Sequence, residues 1–254
     1  MLCRGRFPYL MKSLRLLVLC ALVLCGPLGI AQTGFPGYVP VKVNQTVEAT
    51  FPTIMAAIGI KSGASSIAIA VDDTGRMTDY LVTAYTHPAF AEKAVAALRK
   101  WKFEPARIHG AARNSKADLT FRFELEGVVV VTMTPISYNE IVHYKVAPDS
   151  EAYTVCTLSR LDRIPNPAKI VNPIYPAELA RSSRGGHIMV EFYIDENGRV
   201  RMPSVSPEMI EASAELSAAA VTAVAQWEFE PPTLKGKPVV VLAHQDFKFK
   251  PASH

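Results

Sequence analysis

An internal repeat constrains this chain more than any other feature. The segment Trp101-Lys102-Phe103-Glu104-Pro105 returns 126 residues later as Trp227-Glu228-Phe229-Glu230-Pro231. The same spacing relates Gly110 to Gly236, Phe121 to Phe247 and Phe123 to Phe249. Upstream of the tryptophans the spacing shrinks by two or three residues, as short loop insertions between fixed elements would cause. The repeat therefore predicts a duplicated domain.

Each copy is predicted to contain the same elements in the same order: a short helix, a two-stranded hairpin, a longer helix and a final strand. The hairpin turns are Asp73-Thr74-Gly75 and Glu196-Asn197-Gly198, whose residue types favour tight turns. Apolar residues at helical spacing lead up to both tryptophans, with Pro88 and Ser213 as the start signals. We expect an α+β fold of two tandem small domains, each a short antiparallel sheet packed by two helices.

The element pattern predicts five segments. They are a signal peptide over 1–31, a short connection over 32–44, a first domain over 45–127, a linker with a strand extension over 128–165, and a second domain over 166–251. The linker begins with the apolar run Val128 to Val131 and ends in Pro165-Asn166-Pro167.

The first 31 residues have the features of an export leader. Lys12 and Arg15 precede the uncharged run Leu16 to Cys25, and the small residues Gly29 and Ala31 suit cleavage after Ala31. The leader predicts a periplasmic protein. An uncleaved anchor in the inner membrane is the alternative, whereas lipidation at Cys25 is disfavoured because a large residue precedes it.

The charge distribution argues against nucleic-acid binding. The formal net charge is +4, and the four basic residues before residue 32, where no acidic residue occurs, account for it: Arg4, Arg6, Lys12 and Arg15. The remaining chain is neutral and lacks the concentrated basic face that nucleic acid or anionic lipid would need.

The sequence contains no catalytic arrangement that we recognise. Cys156 is the one cysteine beyond the leader and has no neighbouring base, and the six histidines show no metal-ligand spacing. The loop from Ser182 to Gly186 is rich in glycine and serine, but a turn before a strand explains it better than a phosphate cradle. We therefore expect no enzymatic activity, no metal site and no cofactor.

The motifs of the second copy resemble the TonB C-terminal domain over residues 170 to 250. They are, in order, Tyr175-Pro176, Gly186, Val190-Glu191-Phe192, Asp195-x-x-Gly198, Ala219-Ala220-Val221, Trp227-x-Phe229-x-Pro231, Gly236-x-Pro238-Val239 and Phe247-x-Phe249. The first copy is a more divergent match that lacks the Pro-Val pair after Gly110. The resemblance implies a periplasmic module that binds a short peptide of an outer-membrane transporter by adding it as a strand.

The final strand of the second copy is the predicted docking site. In so small a sheet this strand is expected at an edge, where its main chain can pair with an extended peptide. The aromatic residues nearby are expected in the core instead, because they supply much of the burial in a small domain. The candidate peptide-binding residues are Val239, Val241, Ala243, Gln245, Phe247, Lys248 and Lys250.

Three functions remain open from the sequence. The first is a periplasmic module that binds extended segments of an outer-membrane receptor or other envelope protein. The second is a membrane-anchored energy transducer. Two observations count against it: no histidine occurs before His87, and the connection over residues 32–44 reaches at most about 45 Å. The third is a structural scaffold that binds no guest, and a homodimer is an alternative use of the same edge.

Overall fold

A computed structural model describes residues 37–127, 129–134, 152–181, 185–205 and 213–250. The expected leader and most of the serine-rich part of the loop at 182–186 lie outside these residues. These described residues belong to one compact unit. Among the described helices, none has the length and apolar composition that crossing a bilayer requires.

The first copy and the residues just before it contain eight strands and two helices in the described part of the chain. The strands are β1 (Tyr38–Val39), β2 (Lys42–Gln45), β3 (Ser62–Val71), β4 (Met77–Tyr85), β5 (Lys102–Glu104), β6 (Ala106–Ile108), β7 (Ala111–Arg113) and β8 (Ser115–Glu124). The helices are α1 (Thr53–Ala57) and α2 (Pro88–Leu98).

The linker and the second copy supply the other elements. The linker strands are β9 (Val130–Thr132), β10 (Tyr153–Thr154) and β11 (Cys156–Thr157), followed by a 3-10 turn at Leu158–Arg160. The second copy has β12 (Pro167–Lys169), β13 (Gly186–Ile194), β14 (Val200–Val205), β15 (Glu228–Phe229), β16 (Thr233–Leu234), β17 (Lys237–Pro238) and β18 (Val241–Phe249). Its helices are α3 (Ala177–Arg181) and α4 (Ala214–Val224).

Two sheets organise the molecule. The first has the strand order β10-β4-β3-β8-β9 and the second β11-β18-β13-β14. The first is antiparallel throughout, as predicted. The second is mixed, because β11 runs parallel to β18. The prediction of a purely antiparallel second sheet was wrong, since a linker strand joins it that the repeat pattern does not contain.

The long helix of each copy covers one face of its sheet. Phe90 and Leu98 of α2 are buried in the first core, and Leu216 and Val224 of α4 in the second. Pro88 begins α2 as expected, and the preceding His87 caps it by accepting a hydrogen bond from the Ala89 amide. These apolar stripes against the sheets reproduce the predicted packing.

The expected connection over 32–44 carries structure of its own. β1 pairs with β6, and β2 pairs with β5. The second copy has a counterpart in β12, which pairs with β15. Strands of two to four mostly exposed residues carry almost no periodic signal, which explains why the sequence did not reveal them.

Two consecutive linker strands join the two sheets. β10 pairs with β4 at the edge of the first sheet, and β11, one residue further along, pairs with β18 of the second. Between them the Val155 amide donates to the Thr83 carbonyl at 2.7 Å. The linker therefore binds both copies through its main chain, whereas the sequence predicted a linker with a strand extension that packs on one domain.

The sheets also contact each other through the faces that the helices leave open. A small apolar cluster contains Ala68 of the first copy with Tyr193 and Met202 of the second. Beside it, Nε of Arg201 donates to Oδ2 of Asp79 at 2.9 Å, and a second guanidinium nitrogen of Arg201 donates to the Tyr80 carbonyl at 3.2 Å. The layers therefore follow the order helix, sheet, sheet, helix.

We predict that Arg201→Ala lowers the free energy of unfolding by about 1 to 2 kcal/mol, because it removes charge-assisted hydrogen bonds that are only partly exposed. Chemical denaturation followed by tryptophan fluorescence measures the change. The matched control is Arg199→Ala, directly before the same strand β14, where the side chain is exposed. Equal stability of the two variants would contradict a stabilising role for the Arg201–Asp79 contact.

The same interface predicts an alkaline transition. Burial raises the pKa of Tyr193, and the charge of Asp118 raises it further. Because the folded pKa lies above the unfolded value near 10, this contribution to stability is complete below pH 10 and is lost as the pH rises toward the folded pKa. The melting temperature of the Tyr193→Phe variant should therefore fall less above pH 10 than that of the unmodified chain, as measured by thermal unfolding. Parallel losses would contradict the burial effect.

Candidate functional site

β18 has a full-length neighbour on one side and a partial one on the other. β13 pairs with it from Val241 to Phe249 without a register shift. On the opposite side, β11 pairs with Val241 and Leu242 alone. No other strand in the described part of the chain pairs along this outer side, so the edge is open from Ala243 onward.

The direction of the main-chain groups decides which residues of β18 offer hydrogen bonds to this open edge. The Val240 carbonyl accepts from the Cys156 amide at 3.0 Å, so residue 240 turns outward. On β13, the Asp195 amide faces the β14 side, where it donates to the Arg199 carbonyl. Main-chain groups alternate along an unbulged strand. The outward residues within the open stretch are therefore His244, Asp246 and Lys248.

The side chains along the open edge are polar and charged. His244 and Lys248 are exposed. Asp246 lies 2.8 Å from Nε2 of His187 on β13, and both side chains are about half exposed at 50% and 45%. The Asp246 carbonyl accepts a hydrogen bond from the Gln245 side-chain amide at 2.9 Å, which fits an outward main chain at residue 246. An extended strand at this edge would meet alternating polar groups.

The structure places the predicted docking residues in three different situations. Val239 lies before the strand, and its amide donates to the Pro232 carbonyl at 2.9 Å. Val241 is buried and has strands on both sides, so its inclusion in an open edge was wrong. The others lie along the open stretch or just beyond it: Ala243, Gln245, Phe247, Lys248 and Lys250.

Three of the residues along the open stretch turn their main chain toward β13. Ala243, Gln245 and Phe247 pair with Phe192, Val190 and Ile188. They therefore hold β18 on β13 and offer no main-chain hydrogen bond to an added strand. Sequence reasoning missed His244 and Asp246, because the alternating pattern of a strand gives its two faces but not which residues bond to which neighbour.

The aromatic residues near the strand are core residues, as expected. Trp227 and Phe249 are buried, and Phe229 and Phe247 are partly buried against the same core. Nε1 of Trp227 donates to the Val171 carbonyl at 2.8 Å, and Nε1 of Trp101 donates to the Val47 carbonyl at the same distance. Each tryptophan therefore ties the segment before its sheet to the end of its helix.

The same hydrogen bonds in both hairpin turns explain the Asp-x-x-Gly motif. In the first copy, Oδ1 of Asp72 accepts from the amide of Thr74 at 3.0 Å and from the amide of Arg76 at 2.9 Å. In the second copy, Oδ1 of Asp195 accepts from the amides of Asn197 and Arg199, both at 2.9 Å. Gly198 has φ +79°, and its carbonyl accepts from the Phe229 amide at 2.8 Å. The turn thereby joins the hairpin to the segment after the tryptophan.

The described residues do not form a metal site, and their one cysteine is not activated. In the described ranges, no group of three or more His, Cys, Asp or Glu residues is placed to hold a metal ion. Cys156 is buried within β11, and burial raises the pKa of its thiol, so the unreactive protonated form is favoured. Cys156 therefore acts as a small packing residue.

Comparison with known proteins identifies the family of both copies. A family model described as Gram-negative bacterial TonB protein C-terminal matches residues 47–125 and again residues 171–251. The chain belongs to the TonB C-terminal family. Domains of this family are protein-interaction domains of the cell envelope that contact outer-membrane receptors and other envelope proteins. The two matched segments confirm the tandem repeat.

A solved structure is similar to part of the chain. It is the solution NMR structure of the Pseudomonas aeruginosa TonB CTD, with 28% sequence identity over 35% of this chain and 89% of that chain, at a TM-score of 0.31. No curated protein matches the chain significantly.

The turn that supports β13 and β14 gives a matched test of the motif. A Cβ on Gly198 would lie 1.9 Å from the Phe229 carbonyl oxygen, whereas Gly236, with φ +73°, has nothing within 4 Å. We predict that Gly236→Ala costs about 1 kcal/mol for the left-handed backbone, and that Gly198→Ala costs about 2 kcal/mol more because the carbonyl must move. Denaturant titration measures both. Similar losses would contradict the close approach at Gly198.

Proposed function

We propose that the second copy binds an extended segment of an outer-membrane receptor or another envelope protein as an added strand along β18. The observation that carries the proposal is the outer edge from His244 to Lys248, which has no strand partner in the described ranges. An extended peptide would pair with the outward main-chain groups of every second residue. Family membership supports a protein-interaction role for this surface.

The opposite edge of the same sheet is a poorer docking site. β14 is only six residues long, and its pairing with β13 contains a register shift. Within it, Met202 has a positive φ of 48°, and Pro203 has no amide hydrogen to donate. Bulges and prolines are the usual means of protecting an edge from further pairing. β18 pairs with β13 without such a break, which favours its edge for a guest strand.

The charges along β18 suggest how the edge stays available without aggregating. Asp246 and Lys248 place opposite charges two residues apart on the open stretch. Charged residues at an edge disfavour pairing with an arbitrary apolar strand. A guest is therefore expected to be extended and polar or mixed in composition, with charges that complement this pair.

The remaining sequence-based expectations complete the proposal. The chain is exported to the periplasm, carries out no catalysis, and contains two α+β domains at residues 45–127 and 166–251. An anchored transducer component would use the same edge, so the alternative differs in the fate of the leader. N-terminal sequencing of the exported protein separates the two, because Gln32 as the first residue excludes a retained anchor.

Photo-crosslinking in the native envelope tests the geometry of the guest. A photoreactive residue at position 244 and, in a second variant, at position 248 should crosslink to the same segment of a partner. The two partner residues should lie about four positions apart, because paired strands advance together at about 3.3 Å per residue. Position 242 is the control, since it lies opposite Thr157 of β11 and should crosslink within the chain. Crosslinks to unrelated partner surfaces would contradict strand addition.

Proline substitutions test the need for outward amides. Lys248→Pro removes an outward donor and should weaken binding of the crosslinked segment by on the order of tenfold, whereas Lys248→Ala keeps that donor and should bind nearly as well. Gln245→Pro removes a bond to β13 instead, so it should lower stability. Isothermal titration calorimetry measures the change in binding, and thermal unfolding measures the change in stability. Equal binding by the Pro and Ala variants at position 248 would contradict the proposal.

A further inference from the structure

The two copies differ at the edge that corresponds to the proposed docking strand. In the first copy, β9 pairs antiparallel with β8 at Thr120, Phe121 and Arg122. β8 is the counterpart of β18, and at the repeat spacing of 126 these residues correspond to Asp246, Phe247 and Lys248. The first copy thus has a strand where the second is open in the described part of the chain.

The packing of the two copies supports this correspondence. Phe121 and Trp101 have ring centroids 5.3 Å apart, and Phe247 and Trp227 have them 5.8 Å apart. A glycine also lies opposite the second phenylalanine of each strand, since Gly63 pairs with Phe123 and Gly186 pairs with Phe249. A Cβ on Gly63 would meet Phe90, and one on Gly186 would meet Leu216, at equivalent places on the two helices.

The main-chain direction of β8 matches that of β18. The Leu125 amide donates to the Lys61 carbonyl beside β3, so odd-numbered residues of β8 face β3. The pairing of β8 with β3 has no register shift. Thr120 and Arg122 therefore turn their main chain toward β9, as Asp246 and Lys248 turn theirs toward the open edge.

Side chains secure β9 at this edge. Oγ1 of Thr120 donates to the Thr134 carbonyl, and a guanidinium nitrogen of Arg122 donates to Oγ1 of Thr132 at 2.8 Å. Val131 packs against the first core, whereas Val130 is 55% exposed. Val129, just before β9, packs against the same core. The segment is therefore bound by main-chain hydrogen bonds, side-chain hydrogen bonds and apolar contacts, as a docked peptide would be.

We infer that β9 is a guest strand supplied by the chain itself, which closes the edge of the first copy and leaves the second copy as the one that receives a peptide from another protein. The inference rests on the proposed function for the role of the second copy, but the closure of the first copy stands on its own contacts. It assigns a self-occupied, structural role to the first copy and predicts one guest per chain.

The test separates β9 from β8 in the full exported chain. By alternation, the amides of Val130 and Thr132 face β8, so the double variant Val130→Pro, Thr132→Pro removes both donors. Amide hydrogen exchange by NMR should show the Thr120 and Arg122 amides exchanging at least about tenfold faster than in the unmodified chain. Met133→Pro, one residue beyond β9, is the matched control and should leave both amides protected.

A synthetic peptide of residues 127–134 with added terminal lysines is the probe for rebinding. Added to the double variant, it should restore protection of Thr120 and Arg122; added to the unmodified chain, it should not change them. If the double variant is unfolded, the single variant Thr132→Pro carries the same measurement. Unchanged exchange in a folded variant, or failure of the peptide to restore protection, would overturn the inference.

The same spectra keep this inference distinct from the proposed function. The amides of His244, Asp246 and Lys248 report on the second copy and are read independently. Loss of protection at β8 with no guest binding at β18 would uphold the closure of the first copy by β9 and reject the proposed function of the second copy. Guest binding at β18, with exchange of the β8 amides unchanged when β9 is disrupted, would reject the inference and leave the proposed function standing.

Discussion

Main-chain hydrogen bonding at sheet edges is the constraint on which this structure depends. Each strand turns its N–H and C=O groups alternately to its two sides, and each edge needs a partner or solvent for them. The chain meets this requirement with its own linker at several places: β9 lies on β8, β10 on β4, and β11 on the start of β18. The stretch from His244 to Lys248 lies in the part of β18 that the described linker strands do not reach.

The linker therefore does more than connect two copies of one unit. Its strands β10 and β11 join the two sheets, and the contact of Arg201 with Asp79 reinforces the packing between the faces that the helices leave open. These contacts hold the two copies against each other.

Sequence reasoning reached the repeated elements and the family but not the connections between them. The tryptophans and the Asp-x-x-Gly turns are strong local signals, because each requires a particular residue type for packing or for positive φ. β1, β10 and β11 are two residues long and form only through tertiary pairing, so no local pattern predicts them. The direction of the main chain along β18 likewise depends on its neighbours, which is why His244 and Asp246 were missed.

Amide hydrogen exchange along β18 tests the central claim most directly. The segment crosslinked at positions 244 and 248 is synthesised as a peptide, and exchange is compared with and without it. Strand addition predicts that the amides of His244, Asp246 and Lys248 become protected, while those of Gln245 and Phe247, already paired with β13, change little. Tight binding of the peptide with the three outward amides still exchanging freely would contradict the account.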